Sequence, residues 1–130
     1  MAIHWREDLK RRWAVIVYSD PYTVAEWERA MTEILAHPIA KWPLRLLVDR
    51  RYCQAPAGDF VRQITGYVRR HQDRFDAASV AIVTSDLAGH GVAPMAELVI
   101  GEDVKCALRA FSDWNDAEQW LASPPTPSAS

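Results

Sequence analysis

Short apolar runs and longer amphipathic segments alternate along the chain. Four of the runs lead into an aspartate: residues 15–18 precede Asp20, 46–48 precede Asp49, 81–84 precede Asp86, and 108–111 precede Asp113. Runs of this length and composition are typical of buried parallel strands. Because the carboxyl ends of parallel strands meet at one edge of a sheet, we expect that edge to carry the functional polar groups.

The beginning of the chain predicts a hairpin followed by a helix. Residues 3–7 and 13–18 flank a charged connector, which is the pattern of an edge strand that turns into a buried strand. Thr23 and Glu26 then have the spacing of a capping box, in which the hydroxyl and the carboxylate satisfy free N–H groups at a helix start. Apolar positions repeat at helical spacing from there until Pro38, which ends the helix.

The rest of the chain alternates strands with helices. Apolar spacing predicts helices over residues 59–75 and 90–100, and residues 115–118 cap a last short helix. The resulting order is ββαβαβαβα, and right-handed crossovers would wrap it into one layered domain. We therefore predict an α/β fold with a mostly parallel five-stranded sheet, an antiparallel N-terminal edge strand and about four flanking helices.

Composition narrows the class of protein. The 130 residues suffice for one domain, which we place at 1–122, and the Pro- and Ser-rich residues 123–130 predict a disordered tail. Fifteen basic and seventeen acidic residues give a net charge of −2, which argues against a nucleic-acid partner. No apolar stretch reaches the roughly 20 residues of a membrane span and no signal peptide is evident, so we predict a cytoplasmic protein.

Neither metal nor cofactor chemistry has a motif in this sequence. Cys53 and Cys106 lie far apart, without a CxxC pair or a histidine at zinc-ligand spacing, so we predict no disulfide, no metal and no cofactor. The glycines around His90 match neither a phosphate-binding loop nor a dinucleotide-binding fingerprint. Nucleotide binding therefore has no support from a motif.

Several short motifs together resemble a known family. They are the run from Leu46 to Arg51 followed by Pro56, the pair His90-Gly91 ahead of Met95, and a closing segment with Arg109, Phe111, Ala117, Trp120 and Leu121. In this order and spacing they resemble the bacterial SpoIIAA-like proteins of the STAS superfamily, whose β-α superhelix is related to CRAL-TRIO domains. The resemblance implies a non-enzymatic binding or regulatory module for a small apolar or amphipathic ligand, or for a partner protein.

One feature of the family's regulated members is missing. Classical anti-sigma-factor antagonists carry a phosphorylatable serine in the loop after the strand that here ends at Val48. At that point this chain reads Asp49-Arg50-Arg51-Tyr52-Cys53-Gln54. The segment contains no acceptor serine. We therefore expect a module without the phosphorylation switch.

The candidate binding site combines two groups of residues at the strand ends. Asp49, Arg50, Arg51 and Asp86 would set its polarity, because a guanidinium can bind a carboxylate or phosphate bidentately. A movable wall would consist of His90, Gly91 and Met95, since glycine tolerates backbone change and methionine suits adaptable apolar ligands. Each group also has a structural interpretation: the aspartates as helix caps, the arginines as partners of Asp49, and Met95 as part of the core.

Two further hypotheses stay open at this point. A hydrolase or thiol enzyme could use Cys53 or Asp49 with His90, because a cysteine near arginines gains thiolate character. Alternatively the chain could be a purely structural interaction module, since six tryptophans are many for so small a domain. Trp42 and Trp114 are then the candidates for the seam of a homodimer.

Overall fold

The computed structural model describes residues 2–40, 44–53, 58–85 and 106–122. The strands are β1 (Ile3–Asp8), β2 (Trp13–Ser19), β3 (Arg45–Tyr52), β4 (Ser79–Val83) and β5 (Ala107–Phe111). The α-helices are α1 (Val24–Ala36), α2 (Gly58–Arg70), α3 (Gln72–Phe75) and α4 (Trp114–Ala122), and a 3-10 turn spans Pro38–Ala40.

The five strands form one sheet in the order β1-β2-β3-β4-β5, which is also their order along the chain. β1 pairs with β2 antiparallel, and the remaining neighbours pair in parallel. This confirms the predicted mixed sheet with its antiparallel edge strand. Among the described residues, no helix is long and apolar enough to cross a membrane.

Alternating side chains of the strands build two apolar cores, one on each face of the sheet. On the α1/α2 face, Ile16, Val48 and Ile82 pack with α1, α2 and Phe75 of α3. On the α4 face, a smaller core joins the strands to α4 and includes Trp13, Val15, Leu47, Ala81, Val83, Ala117 and Leu121. The period of two along each strand therefore sorts neighbouring residues into different cores.

Side-chain caps define where two of the helices begin. Thr23 Oγ1 accepts a hydrogen bond from the Glu26 backbone N–H at 3.2 Å, which confirms the predicted capping box. The Glu26 carboxylate also accepts from the Ala2 N–H at 2.8 Å and so ties the first strand to α1. Those hydrogen bonds lower the pKa of Glu26 below its usual value. At α4, Asp113 Oδ2 accepts from the Asp116 N–H, so the cap lies two residues before the predicted start.

The predicted helix over residues 59–75 is divided in two. His71 interrupts it with φ −117° and ψ 33°, and α3 follows as a single turn. The His71 ring stacks on Tyr67 at 4.3 Å, and its Nδ1 lies 2.9 Å from the Tyr67 carbonyl oxygen. A side chain that binds the backbone of the preceding turn competes with the helix ladder. The predicted helix over residues 90–100, the tail at 123–130 and Trp42 lie outside the described residues.

Candidate functional site

β3 is longer than the sequence predicts, and the difference relocates the candidate arginines. Asp49, Arg50 and Arg51 belong to the strand and not to a loop after it. The parallel register pairs Val17 with Asp49 and Ser19 with Tyr52, so β3 contains one extra residue at this point. Such a bulge bends the strand and re-aims its side chains.

Asp49 and Arg51 bind each other on the α4 face. Arg51 Nε donates to Asp49 Oδ1 at 3.0 Å and Arg51 Nη2 donates to Oδ2 at 2.9 Å, while the Arg51 backbone N–H also donates to Oδ1. The Asp49 side chain is 4% exposed and the Arg51 side chain 37%. The Arg51 guanidinium also lies over the rings of Tyr52 and Trp114, at 5.3 and 5.0 Å. This pair raises the pKa of Arg51 and occupies the Asp49 carboxylate, as the structural interpretation predicts.

Arg50 lies in the α1/α2 core, away from this pair. The whole residue is only 2% exposed, and its Nη2 donates to the Tyr22 hydroxyl at 2.8 Å. The guanidinium carbon stands 4.8 Å from the centre of the Tyr18 ring and 5.3 Å from that of Tyr22. Both distances are within the range of favourable cation–π contact. Two consecutive arginines that look alike in the sequence thus have opposite surroundings.

An apolar cavity of about 70 Å³ adjoins Arg50 on the α1/α2 face. Its walls come from β2 to β5 and from α1 and α2, and include Ile16, Met31, Val48, Ile64, Ile82 and Leu108. Among the described residues of the lining, Arg50 carries the formal charge. Arg50 is the third residue from the end of β3, so its charge lies toward the carboxyl ends of the parallel strands.

Two further polar side chains line the cavity. Tyr18 is 3% exposed and its hydroxyl is hydrogen-bonded to the side chain of Trp27, which is 5% exposed. Burial raises the pKa of Tyr18 strongly, although the nearby charge of Arg50 opposes the shift. The phenol therefore stays protonated at any ordinary pH. An indole N–H can only donate, so the Tyr18 oxygen is the acceptor in this hydrogen bond.

Both cysteines are free thiols in surroundings that disfavour the thiolate. Burial raises the pKa of Cys106, which lines the cavity, to about 12. Burial also raises the pKa of Cys53; Arg50 lowers it, but Asp20 and Asp49 add to the increase. A nucleophilic cysteine needs a lowered pKa, so this geometry gives no support to thiol chemistry at Cys53.

The site residues predicted from the sequence are thus only partly brought together. Arg50 lies at the cavity, while Asp49 and Arg51 lie on the other face of the sheet. Asp86, His90, Gly91 and Met95 lie outside the described residues. Asp113 caps α4, and no group of three histidine, cysteine or acidic side chains in the described part of the chain could hold a metal ion.

Sequence reasoning missed Tyr18 and Trp27, which line the cavity, and Tyr22, which contacts Arg50. The period of two along β2 and β3 contains a signal for one of them, because Tyr18 closes an apolar run at the same strand end as Arg50. Comparison with known proteins found no family model that matches the chain, and neither a curated protein nor a solved structure gave a significant match.

Proposed function

We propose that this chain is a non-enzymatic binding module that holds a small apolar or amphipathic molecule in the cavity beside Arg50. The observation that carries the proposal is the combination of an apolar cavity with one buried guanidinium toward the carboxyl ends of parallel strands. Ligand sites are concave and mostly apolar, with a few polar groups that fix orientation. Open α/β sheets place such sites at this end of their strands.

The chemistry of the neighbouring groups favours binding over catalysis. Asp49 is held by Arg51 through a bidentate contact, and the thiols of Cys53 and Cys106 have raised pKa values. A carboxylate held in an ion pair and a buried neutral thiol are poor catalytic groups. The rival hypothesis of a hydrolase or thiol enzyme therefore receives no support from these residues.

The resemblance to SpoIIAA-like proteins of the STAS superfamily fits this proposal and remains a prediction. A module of that type would bind without the phosphorylation switch, because no serine follows Asp49 in β3. A bacterial, cytoplasmic origin and a homodimer stay predictions as well. Trp114 offers limited area for a seam, since the ring packs against the Arg51 guanidinium.

Xenon tests whether the cavity takes an apolar guest. Engineered apolar cavities bind xenon, and the gas carries no charge that could be drawn to Arg50. In methyl NMR spectra under xenon pressure, we expect the resonances of Ile16, Ile64 and Ile82 to shift, while those of Val15 on the α4 face stay in place.

A pair of substitutions in β4 provides the matched control. Val80→Ile adds one methylene to the cavity wall and should weaken xenon binding, whereas Val83→Ile adds it to the α4 core and should not. Absence of a shift at the cavity methyls, or equal shifts on both faces of the sheet, would contradict the proposal.

A further inference from the structure

Two buried hydrogen-bond donors lie close together at the α4 core. They are the Trp13 indole N–H and the Arg45 Nε–H, and neither has an acceptor among the described residues. The Arg45 guanidinium carbon lies 5.9 Å from the centre of the Trp13 ring, so both donors belong to one small region. Buried polar atoms in folded proteins nearly always have a partner, because an unpaired donor loses its hydrogen bonds to water. The two donors therefore indicate an acceptor from outside the described ranges.

The surroundings of Trp13 limit how that acceptor can approach and what charge it carries. Trp13 is 1% exposed, and the guanidinium carbons of Arg11 and Arg45 stand over its ring at 5.4 and 5.9 Å. An indole N–H lies in the plane of its ring, so the acceptor has to reach it at the ring's edge. Arg11 already binds Glu118 at 2.8 Å and lies 3.8 Å from Asp8. With two carboxylates so close, a neutral carbonyl oxygen suits the region better than a further anion.

The chain itself brings carbonyl oxygens to this region. Arg45 Nη1 donates to the Leu121 carbonyl at 3.4 Å, in the last turn of α4. Leu121 also belongs to the same apolar core as Trp13. Residue 123 follows two positions later, and two residues of extended chain span about 7 Å. The carbonyls that follow α4 are therefore within reach of both donors.

Residues 123–127, which we call the proline segment, read Ser-Pro-Pro-Thr-Pro and are rich in acceptors. These five residues carry five carbonyl oxygens but only two backbone N–H groups, because proline has none. Pro124 and Pro127 have the spacing of a PxxP motif, whose extended polyproline conformation is favoured before binding. Segments of this kind bind surfaces lined by aromatic side chains. Such a segment therefore binds at little cost in conformational entropy.

We propose that the proline segment binds back onto its own chain, with one of its carbonyl oxygens accepting from the Trp13 indole N–H and from Arg45 Nε–H. The segment supplies neutral acceptors where two buried donors need them, and it begins within two residues of a carbonyl that Arg45 already binds. The surface lies on the α4 face, so it is independent of the cavity on the α1/α2 face.

Contacts of the Trp13 indole proton test the proposal directly. In nuclear Overhauser spectra of the full chain, we expect cross-peaks from this proton to at least one proline of the proline segment. The Trp27 indole belongs to the core on the α1/α2 face and should show no such cross-peak. Cross-peaks from the Trp13 proton to water, with none to proline, would overturn the proposal, because an ordered water molecule would then be the acceptor.

Substitutions in the proline segment leave the apolar core unchanged. Pro124→Gly combined with Pro125→Gly restores two N–H groups and makes the unbound segment more flexible. The Trp13 indole N–H should then exchange with solvent about fivefold faster, which is the factor expected for one ordinary hydrogen bond. Ala129→Gly lies outside the segment and should leave the rate within about twofold. An unchanged rate in the double variant would contradict the proposal.

A tryptophan-to-phenylalanine substitution removes the donor but keeps an aromatic ring. In Trp13→Phe, the ¹H–¹⁵N NOE of the Thr126 backbone should fall toward that of a free peptide, whereas in Trp27→Phe it should stay unchanged. If Trp13→Phe does not fold, Arg45→Lys keeps the positive charge, removes Nε–H and should lower the Thr126 value in the same direction. Equal losses in Trp13→Phe and Trp27→Phe would overturn the proposal, because a general loss of stability would explain both.

Dilution shows which chain provides the segment. A short connection gives an effective concentration in the millimolar range, so binding within one chain should survive a dilution of about twentyfold with no change in the Trp13 indole shift. A shift that moves with protein concentration would overturn binding within one chain, because the segment of a second copy would then be the occupant.

Discussion

An arginine guanidinium has different surroundings on the two faces of the sheet. On the α4 face, the Arg51 guanidinium meets a carboxylate in a bidentate contact, next to the smaller apolar core. On the α1/α2 face, the Arg50 guanidinium lies against two phenol rings beside an apolar cavity. The carboxylate and the guanidinium on the α4 face bind each other, whereas the Arg50 guanidinium donates to the Tyr22 hydroxyl.

This difference shows how a strand separates structural from binding roles. Asp49, Arg50 and Arg51 are consecutive, and a loop could have brought all three to one ligand. Because they are strand residues, the pleat assigns the first and the third to one face and the second to the other. On the α1/α2 face, the cavity beside Arg50 is a place where a ligand could add contacts.

The largest effect that we expect concerns the thiol in the cavity wall. The pKa of Cys106 is about 12 against an ordinary value of 9.0, and alkylation needs the thiolate. At pH 8, iodoacetamide should modify Cys106 roughly a thousandfold more slowly than a cysteine in an unstructured peptide. Peptide mass spectrometry over time measures the rate, with the urea-unfolded protein as control. A rate equal to that of the peptide would mean that the α1/α2 core opens readily to solvent.

The ion pair on the α4 face should matter for stability. Arg51→Ala leaves the Asp49 carboxylate, which is 4% exposed, without its guanidinium and should lower the free energy of unfolding by about 2 kcal/mol. This value is below that of a fully buried pair because Arg51 reaches solvent. In an Asp49→Asn background, the same substitution should cost less than about 1 kcal/mol. Urea unfolding of the four proteins measures the coupling, and additive costs would contradict a specific pair.

Two matched substitutions should change the free energy of unfolding in opposite directions and so compare the packing of the two cores. Val80→Ile extends into the cavity and should raise the free energy of unfolding by about 0.8 kcal/mol. Val83→Ile adds the same methylene to the α4 core, where Val83 is 0% exposed, and should lower it by about 1 kcal/mol. Both residues lie in β4, so the local backbone is matched. Losses of equal size at both positions would mean that the α1/α2 core is as tightly packed as the other.

The architecture could be predicted from the sequence because local signals agree with one another. The apolar runs give all five described strands, and Thr23 with Glu26 fixes the start of α1. The errors lie where a specific contact overrides the apolar pattern. His71 binds the Tyr67 carbonyl and breaks a helix that the apolar spacing would continue. Pairing with β2 prolongs β3 through Tyr52, although its last residues are charged and polar.

The candidate site was harder to predict than the fold. The sequence indicates that Arg50 and Arg51 are neighbours of Asp49, but it does not indicate which one Asp49 binds. That choice depends on the continuation of β3 through Tyr52, because the pleat then places Asp49 and Arg51 on one face and Arg50 on the other. The cavity depends on how helices from distant parts of the chain pack against the sheet. No local pattern in the sequence therefore identifies the aromatic side chains that line it.

Strand order that follows chain order has a consequence for the growing polypeptide. Each new strand finds its neighbour already made, so the sheet can extend from β1 toward β5 during synthesis. The apolar side chains on the α4 face, however, stay uncovered until α4 is synthesised, and α4 follows all five described strands in the chain. Until then Trp13, Val15 and Leu47 are open to other nascent chains, and such surfaces promote aggregation. Ribosome-bound chains that end before Trp114 should therefore depend on chaperones more than complete ones do.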